Sequence, residues 1–176
     1  TTYQWHALQT MWACQPGREV YGENAVTHAF GEGASVVAAA RKYGRIVQCG
    51  MQSRTSPALR AALDWLRAGN LGELKLVRGL CYKPRPSIGA VKGNQKLPES
   101  VDYDLWCGPA PLVPLRRARL HYDWHWFFAT GNGDLGNQGV HQLDVARWVL
   151  GAEFPPPSVL SLGARLGYVD DGETAN

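Results

Sequence analysis

The segment Gly133-Asp134-Leu135-Gly136-Asn137-Gln138-Gly139-Val140-His141-Gln142-Leu143-Asp144 carries three polar side chains spaced to act together. Asn137, His141 and Asp144 stand at i, i+4 and i+7, so a continuous helix would present them on one face. His141 falls near the first turn of a predicted helix over 138–150, where the macrodipole disfavours an added positive charge. A neutral imidazole of this kind can take a proton as a general base. The same residues admit a structural reading, in which His141 bonds the glycine-rich turn and Asp144 pairs with Arg147 or another cation.

His121, Asp123 and His125 form a second group. On a predicted strand over 122–128 they share one face, while Tyr122, Trp124 and Trp126 share the other. Two imidazoles and a carboxylate could ligate a divalent metal, although no metal site is assigned on spacing alone. The aromatic face suits either core packing or a platform for the apolar side of a sugar. Glu23 and Asn24 follow a short predicted strand over 18–22, at the carboxyl end where open parallel sheets bind ligands. There Glu23 could accept hydrogen bonds from ribose hydroxyls or be an ordinary loop acid. Gln52 and Arg54, just beyond a predicted strand over 45–49, carry the same ambiguity.

The elements that must position these groups are legible in part. Leu8, Met11 and Trp12 mark a helix over 6–16, stopped by Gly17. A helix over 29–43 closes at Gly44, and the order helix, strand, helix, strand is that of a parallel sheet flanked by helices. Ser56 followed by Pro57 is a helix start, and Leu59, Ala62, Leu63 and Leu66 supply its apolar stripe up to Gly69. Beyond Gly72 the period changes to two: Leu74, Leu76, Leu80 and Tyr82 alternate with Lys75, Val77, Cys81 and Lys83. That pattern predicts an antiparallel strand with the leucine face buried. Residues 84–100, rich in Pro and Gly, predict a functional or mobile loop, and a last strand is expected over 159–166.

Composition sets the outer limits. Of 176 residues 45% are apolar, enough for a sizeable core, and the net charge of only +3 lacks the basic footprint of a nucleic-acid binder. No apolar run reaches the length of a membrane span. Cys14, Cys49, Cys81 and Cys107 are too widely spaced for a CxxC motif and predict free thiols, which points weakly to a reducing, cytoplasmic setting.

Four segments together resemble the Gfo/Idh/MocA group of NAD(P)-dependent oxidoreductases. Thr1-Thr2-Tyr3-Gln4-Trp5-His6 is similar to the TPxxxH motif, with Thr2 where proline is usual. Glu23-Asn24-Ala25 stands at the EKP motif. Gly50-Met51-Gln52-Ser53-Arg54-Thr55-Ser56-Pro57 is similar to GxxxRxxP, with Gly69-Asn70-Leu71-Gly72 at the following GxLG. Asn137 to Asp144, ending Trp148-Val149-Leu150-Gly151, is similar to DxGxHxxDxxxWLxG, and Tyr103 to Pro111 matches the WLGPAP stretch of one bacterial branch.

The resemblance implies an α/β then α+β chain. Residues 1–54 would be the C-terminal part of a Rossmann domain, with its first strands and glycine-rich turn upstream of Thr1. Residues 55–176 would be an incomplete substrate domain with an open, mostly antiparallel sheet. NAD or NADP is the implied cofactor and a sugar or polyol the implied substrate, with no nucleic-acid or membrane partner. Self-association would use the open sheet face. Position by position, His141 takes the acid/base place, Asn137 that of its helping acid and Asn24 that of the lysine, so these are the catalytic candidates. Thr1, Thr2, His6, Glu23 and Gln52 are assigned to the cofactor, and Lys83, Arg85, His125, Trp126 and Asp144 to the substrate. Because an amide at 24 is a weaker donor than lysine, a non-catalytic sugar- or nucleotide-binding relative is the alternative.

Overall fold

The computed structural model describes residues 1–152 and 155–175. Its first unit is built on two short parallel strands, β1 (Val20–Gly22) and β2 (Val47–Cys49), registered Val20 to Val47, Tyr21 to Gln48 and Gly22 to Cys49. The ladder continues past the strand ends, with Val20 N–H donating to the Ile46 carbonyl at 3.0 Å and Gly50 N–H to the Gly22 carbonyl at 2.7 Å. Helix α1 (Tyr3–Cys14) precedes β1, and α2 (Phe30–Tyr43) makes the crossover to β2 and packs on α1. The Glu32 carboxylate starts α2 by accepting from the backbone N–H groups of His28 and Ala29 at 2.7 and 2.9 Å, which satisfies donors no helical carbonyl can reach. Helix α3 (Pro57–Arg67) begins as its sequence predicts: Ser56 Oγ accepts from Leu59 N–H, with Pro57 in the first turn. The sequence places the start of α1 three residues too late.

Beyond α3 the chain departs further from expectation. Residues 123–126 are a short 3-10 turn, not a strand. Asp123 is the cause: its side chain accepts from the Arg119 N–H and Nε at 3.0 Å each, while Asp123 N–H donates back to the Arg119 carbonyl. Such local bonds compete successfully with an extended ladder. The premise that aligned His121, Asp123 and His125 on one strand face therefore fails, and among the described residues no three His, Cys, Asp or Glu side chains converge as a metal-ligand set.

No antiparallel pairing is present among the described residues, whose sheet consists of β1 and β2. The alternation over 74–83 does not decide which residues are covered: Leu74 stays half-buried, but so do Val77 and Cys81 of the other parity, while Lys75 and Lys83 are exposed. Val77 and Cys81 turn inward and are half-buried against the last helix and the turn before it, while Leu76, Leu80 and Tyr82 are 67%, 55% and 85% exposed. Leu160, Leu162 and Leu166 are likewise exposed and unpaired. A period of two reports a pleated chain, but only a bonded neighbour makes it a sheet and decides which face is covered.

The loop over 84–100 is fastened rather than free. Asp170 Oδ2 accepts from Ser87 Oγ and Ile88 N–H at 2.7 and 3.0 Å, and Asp171 Oδ2 accepts from Val91 N–H at 2.8 Å. Arg165 grips the Asp170 carboxylate as well, and together these donors hold its pKa well below the usual carboxylate range.

Helix α4 (Tyr103–Cys107), which the sequence reading lacks, is capped by Asp102 accepting from Leu105 N–H at 2.9 Å. It centres a small core of Tyr103, Cys107, Leu115 and Leu120. The last helix, α5 (Val140–Val149), is entered through a π turn, Leu135–Gly139. The four cysteines are free thiols, and among the described residues no helix is long and apolar enough to cross a membrane.

Helix α1 docks on α4 where Gly108 leaves it. Gly108 has φ +54°, and a Cβ there would stand 2.2 Å from Trp5 Cε2. Gly108→Ala is expected to lower stability by about 1–3 kcal/mol, read from the urea midpoint. Gly33→Ala, with open space around it inside α2, should raise it by up to about 1 kcal/mol.

Candidate active site

A cavity of about 590 Å³ opens at the carboxyl end of β1. Its wall brings together Thr1, His6, Glu23, Asn24, His125 and Asn137, drawn from α1, the loop after β1, the 3-10 turn and the π turn. Asn24 and Asn137, 113 residues apart, meet across it: Asn24 Nδ2 donates to the Asn137 carbonyl at 3.1 Å.

With His6, His125 is one of two imidazoles in this wall. Its ring stacks on Trp124 at 3.7 Å between centroids and meets Tyr3 edge-on. Nδ1 lies 2.6 Å from the Tyr122 carbonyl. A carbonyl can only accept, so Nδ1 carries the hydrogen and the neutral ring keeps its lone pair on Nε2. Burial depresses the pKa of His125, and Arg85 pushes the same way, against the Tyr122 carbonyl, Asp134 and Asp123. The ring is thus neutral and basic at one nitrogen.

His6 braces the site more than it reaches into it. Its Nδ1 stands 2.7 Å from the Ala25 carbonyl, tying α1 to the loop that carries Asn24. Glu23 lies against the Gly50 backbone, where a Cβ would come within 2.6 Å of its Oε2. Thr2 is buried at the start of α1, and Gln52 is exposed, its carbonyl accepting from Thr55 Oγ1.

The i, i+4, i+7 triad is divided. The π turn winds more residues per turn than an α-helix, so the helical spacing from Asn137 to His141 no longer holds them on one face. Asn137 faces the main cavity. His141 lines a separate pocket of about 230 Å³ among Leu59, Val77, Leu80, Val145 and Val149, and its Nδ1 is buried with no partner. Asp144 receives Arg54 through two bonds of 2.8 Å, the cation that spacing left unnamed.

The remaining substrate candidates are engaged elsewhere. Lys83 Nζ donates to Gln138 Oε1 at 2.7 Å, and Arg85 grips Asp134 Oδ1 through Nε and Nη2 at 3.0 and 2.8 Å. Trp126 is 2% exposed and belongs to the core. Sequence reasoning missed two residues. Tyr3 lines the cavity, and burial, reinforced by Asp134, pushes its pKa up to about 12. Asp134 holds Arg85 and accepts from Asn137 Nδ2 at 3.4 Å, and its place at the head of the glycine-rich segment was the available signal.

A profile of the Gfo/Idh/MocA oxidoreductase family, describing its C-terminal alpha/beta domain, matches residues 79–170, just over half of the chain. The fold is similar to that of the WlbA dehydrogenase from Bordetella pertussis, solved in complex with NADH and UDP-GlcNAcA, at 20% identity and a TM-score of 0.62, covering 99% of this chain and 41% of that one. The Chromobacterium violaceum WlbA dehydrogenase, solved with the same two molecules, gives 17% and 0.63 over 99% of this chain and 41% of its own. An NAD binding oxidoreductase from Klebsiella pneumoniae gives 21% and 0.54 over 86% and 33%. The chain thus spans about two-fifths or less of the length of these structures. No curated protein is significantly similar in sequence.

The depressed pKa of His125 sets a direction for stability. Below the ordinary histidine value of 6.5, the unfolded chain binds a proton that the folded chain refuses, so stability is lost as pH falls. His125→Asn is expected to flatten that slope, by at most about 1.4 kcal/mol per pH unit, in urea unfolding followed across this range.

Proposed function

We propose that this chain, which belongs to the Gfo/Idh/MocA oxidoreductase family, serves an NAD(P)-dependent oxidation or reduction at a hydroxyl carbon of a sugar, cyclitol or glycoside. The observation that carries this reading is the cavity at the carboxyl end of β1, where Asn24, Asn137 and a neutral His125 share one wall. Residues 1–54 are read as the C-terminal part of the dinucleotide-binding domain and 55–176 as the substrate domain. The sugar nucleotide and NADH held by the WlbA dehydrogenases support the substrate class and the cofactor. Self-association is part of the reading, with the uncovered side of Leu76, Leu80 and Tyr82 as the apolar surface for it.

The donor set fits a nicotinamide ribose. Glu23, held against Gly50, offers carboxylate oxygens to hydroxyls, and the Asn24 amide stands beside it in the same wall. When bound, NAD(P) supplies the two-electron acceptor or donor for hydride transfer. The chain's own residues handle the proton. We assign that step to His125, whose Nε2 lone pair accepts the hydroxyl proton while the Tyr122 carbonyl fixes the tautomer. Trp124 and Tyr3 hold the ring and exclude water from one side. Asn24 orients the substrate oxygen with a neutral donor, which stabilises alkoxide character less than a cation would.

A second reading keeps proton transfer on His141, the family's position, and is favoured by its orphaned Nδ1. In the full-length protein, His125→Asn should reduce kcat about 100-fold or more and His141→Asn by less than about tenfold. The reverse ranking moves the step to His141. Asn24→Lys should raise kcat by about tenfold or more. Absence of reduced nicotinamide from wild type and Asn24→Lys alike, across cyclitols, hexoses and glycosides, would sink the oxidoreductase reading in favour of a binding module.

A further inference from the structure

Four arginines of the second unit and its junction use their side-chain charge in the same way. Arg54, Arg85, Arg119 and Arg165 each place the Nε–Nη2 edge of the guanidinium on an aspartate: Asp144, Asp134, Asp123 and Asp170. Arg117 has the same edge buried and no acceptor on it, since neither Nε nor Nη2 has a hydrogen-bond partner. The side chain is 8% exposed. Its cationic carbon lies 4.6 Å from the Trp106 ring centre and 5.6 Å from that of Phe127. Of the ionisable groups acting on it, Tyr103, Cys107 and Asp123, Asp123 is the carboxylate, and it is already held by Arg119 through the backbone and the guanidinium. An arginine cannot shed its proton, so a buried cation is left without a counter-ion.

Arg117 also lines a cavity of about 320 Å³, separate from the candidate active site. Trp106, Phe127, Val113 and Pro114 give this cavity flat apolar walls, and Arg116 adds a second cation. Glu173 is the acidic member, its Oε2 occupied by Phe128 N–H at 2.7 Å. The charges facing the space leave room for one negative charge and not two. The apolar walls ask for a carbon body behind it.

We propose that this cavity binds a small organic carboxylate, with the Nε–Nη2 fork of Arg117 as its anchor and the Trp106 and Phe127 rings against its apolar body. Both nitrogens are covered in the empty cavity, so binding turns the guanidinium off the rings and into the space it already lines. Fork-to-carboxylate pairing is the geometry the four other arginines adopt within this chain, and it is strong and directional.

Benzoate, its neutral isostere benzamide and inorganic phosphate are the probes, titrated into the full-length protein by calorimetry. Benzoate is expected to bind once per chain, with benzamide at least about tenfold weaker. Arg117→Met should weaken benzoate by at least about tenfold, and Arg116→Met by less than about threefold. Equal binding of benzoate and benzamide, undiminished binding to Arg117→Met, or no benzoate binding at all overturns the proposal. Tighter binding of phosphate than benzoate overturns its carboxylate class. Where Arg117→Met fails to fold, Arg117→Lys keeps the charge without the fork and must still weaken benzoate. Thermal protection of the wild type by benzoate and not by benzamide gives the same decision without any variant.

Discussion

The arrangement of the site depends on how the first turn of α1 is held. Gln4 Nε2 donates to the Trp106 and Cys107 carbonyls at 3.3 and 3.4 Å, and Trp5 Nε1 donates to the Leu105 carbonyl at 3.0 Å. These bonds satisfy three of the carbonyls that end α4, groups a helix leaves without internal partners. One residue to either side, Tyr3 packs edge-on against Trp124 and His125, and His6 fixes the Ala25 carbonyl. A single helical turn thus ties the loop after β1 to the aromatic turn over 123–126. Move it, and Asn24 and His125 no longer share a wall.

Arginine–aspartate pairs do for the second unit what a sheet would otherwise do. Asp134 immediately precedes the π turn and Asp144 lies midway along α5; the first receives Arg85 from the loop over 84–100 and the second Arg54 from the 3-10 turn before α3. Arg85 and Asp134 are both mostly covered, so their bond is sheltered from screening, whereas Arg54 is nearly half exposed and contributes less. Asp170 fastens the loop over 84–100 through Ser87 and Ile88. Each contact is polar and directional, and together they fasten segments that have no bonded strand neighbour among the described residues.

What could be read from the sequence follows the range of the interactions. Helices α2, α3 and α5 were legible because Gly44, Ser56-Pro57 and Gly151 act within a turn of the residues they govern. The carboxyl end of β1 was legible as a ligand position for the same reason, since a short apolar pair and a glycine locate it. The pairing of Arg54 with Asp144 spans 90 residues and has no local signature. The coverage of 74–83 lies outside the pattern because alternation distinguishes two faces and is silent on what covers either: Leu74, Val77 and Cys81 are half-buried, and Leu76, Leu80 and Tyr82 exposed. The π turn was invisible, and with it the parting of Asn137 from His141, because one extra residue in a turn leaves the spacing of residue types unchanged.

Replacement of the expected lysine by Asn24 is best understood together with Asn137. On the reading in which Asn24 and Asn137 hold the places of a lysine and an acid, two amides replace a cation and a carboxylate, so both charges are missing at once. Losing either alone would leave the other facing the cavity without its complement, at a cost in desolvation. With both amides in place, Asn24 Nδ2 donates to the Asn137 backbone carbonyl and Asn137 Nδ2 to the Asp134 carboxylate. On the proposed function, proton transfer there falls to an imidazole already held neutral by its surroundings, and among the residues of this wall His125 meets that condition by burial and by the carbonyl that fixes its tautomer.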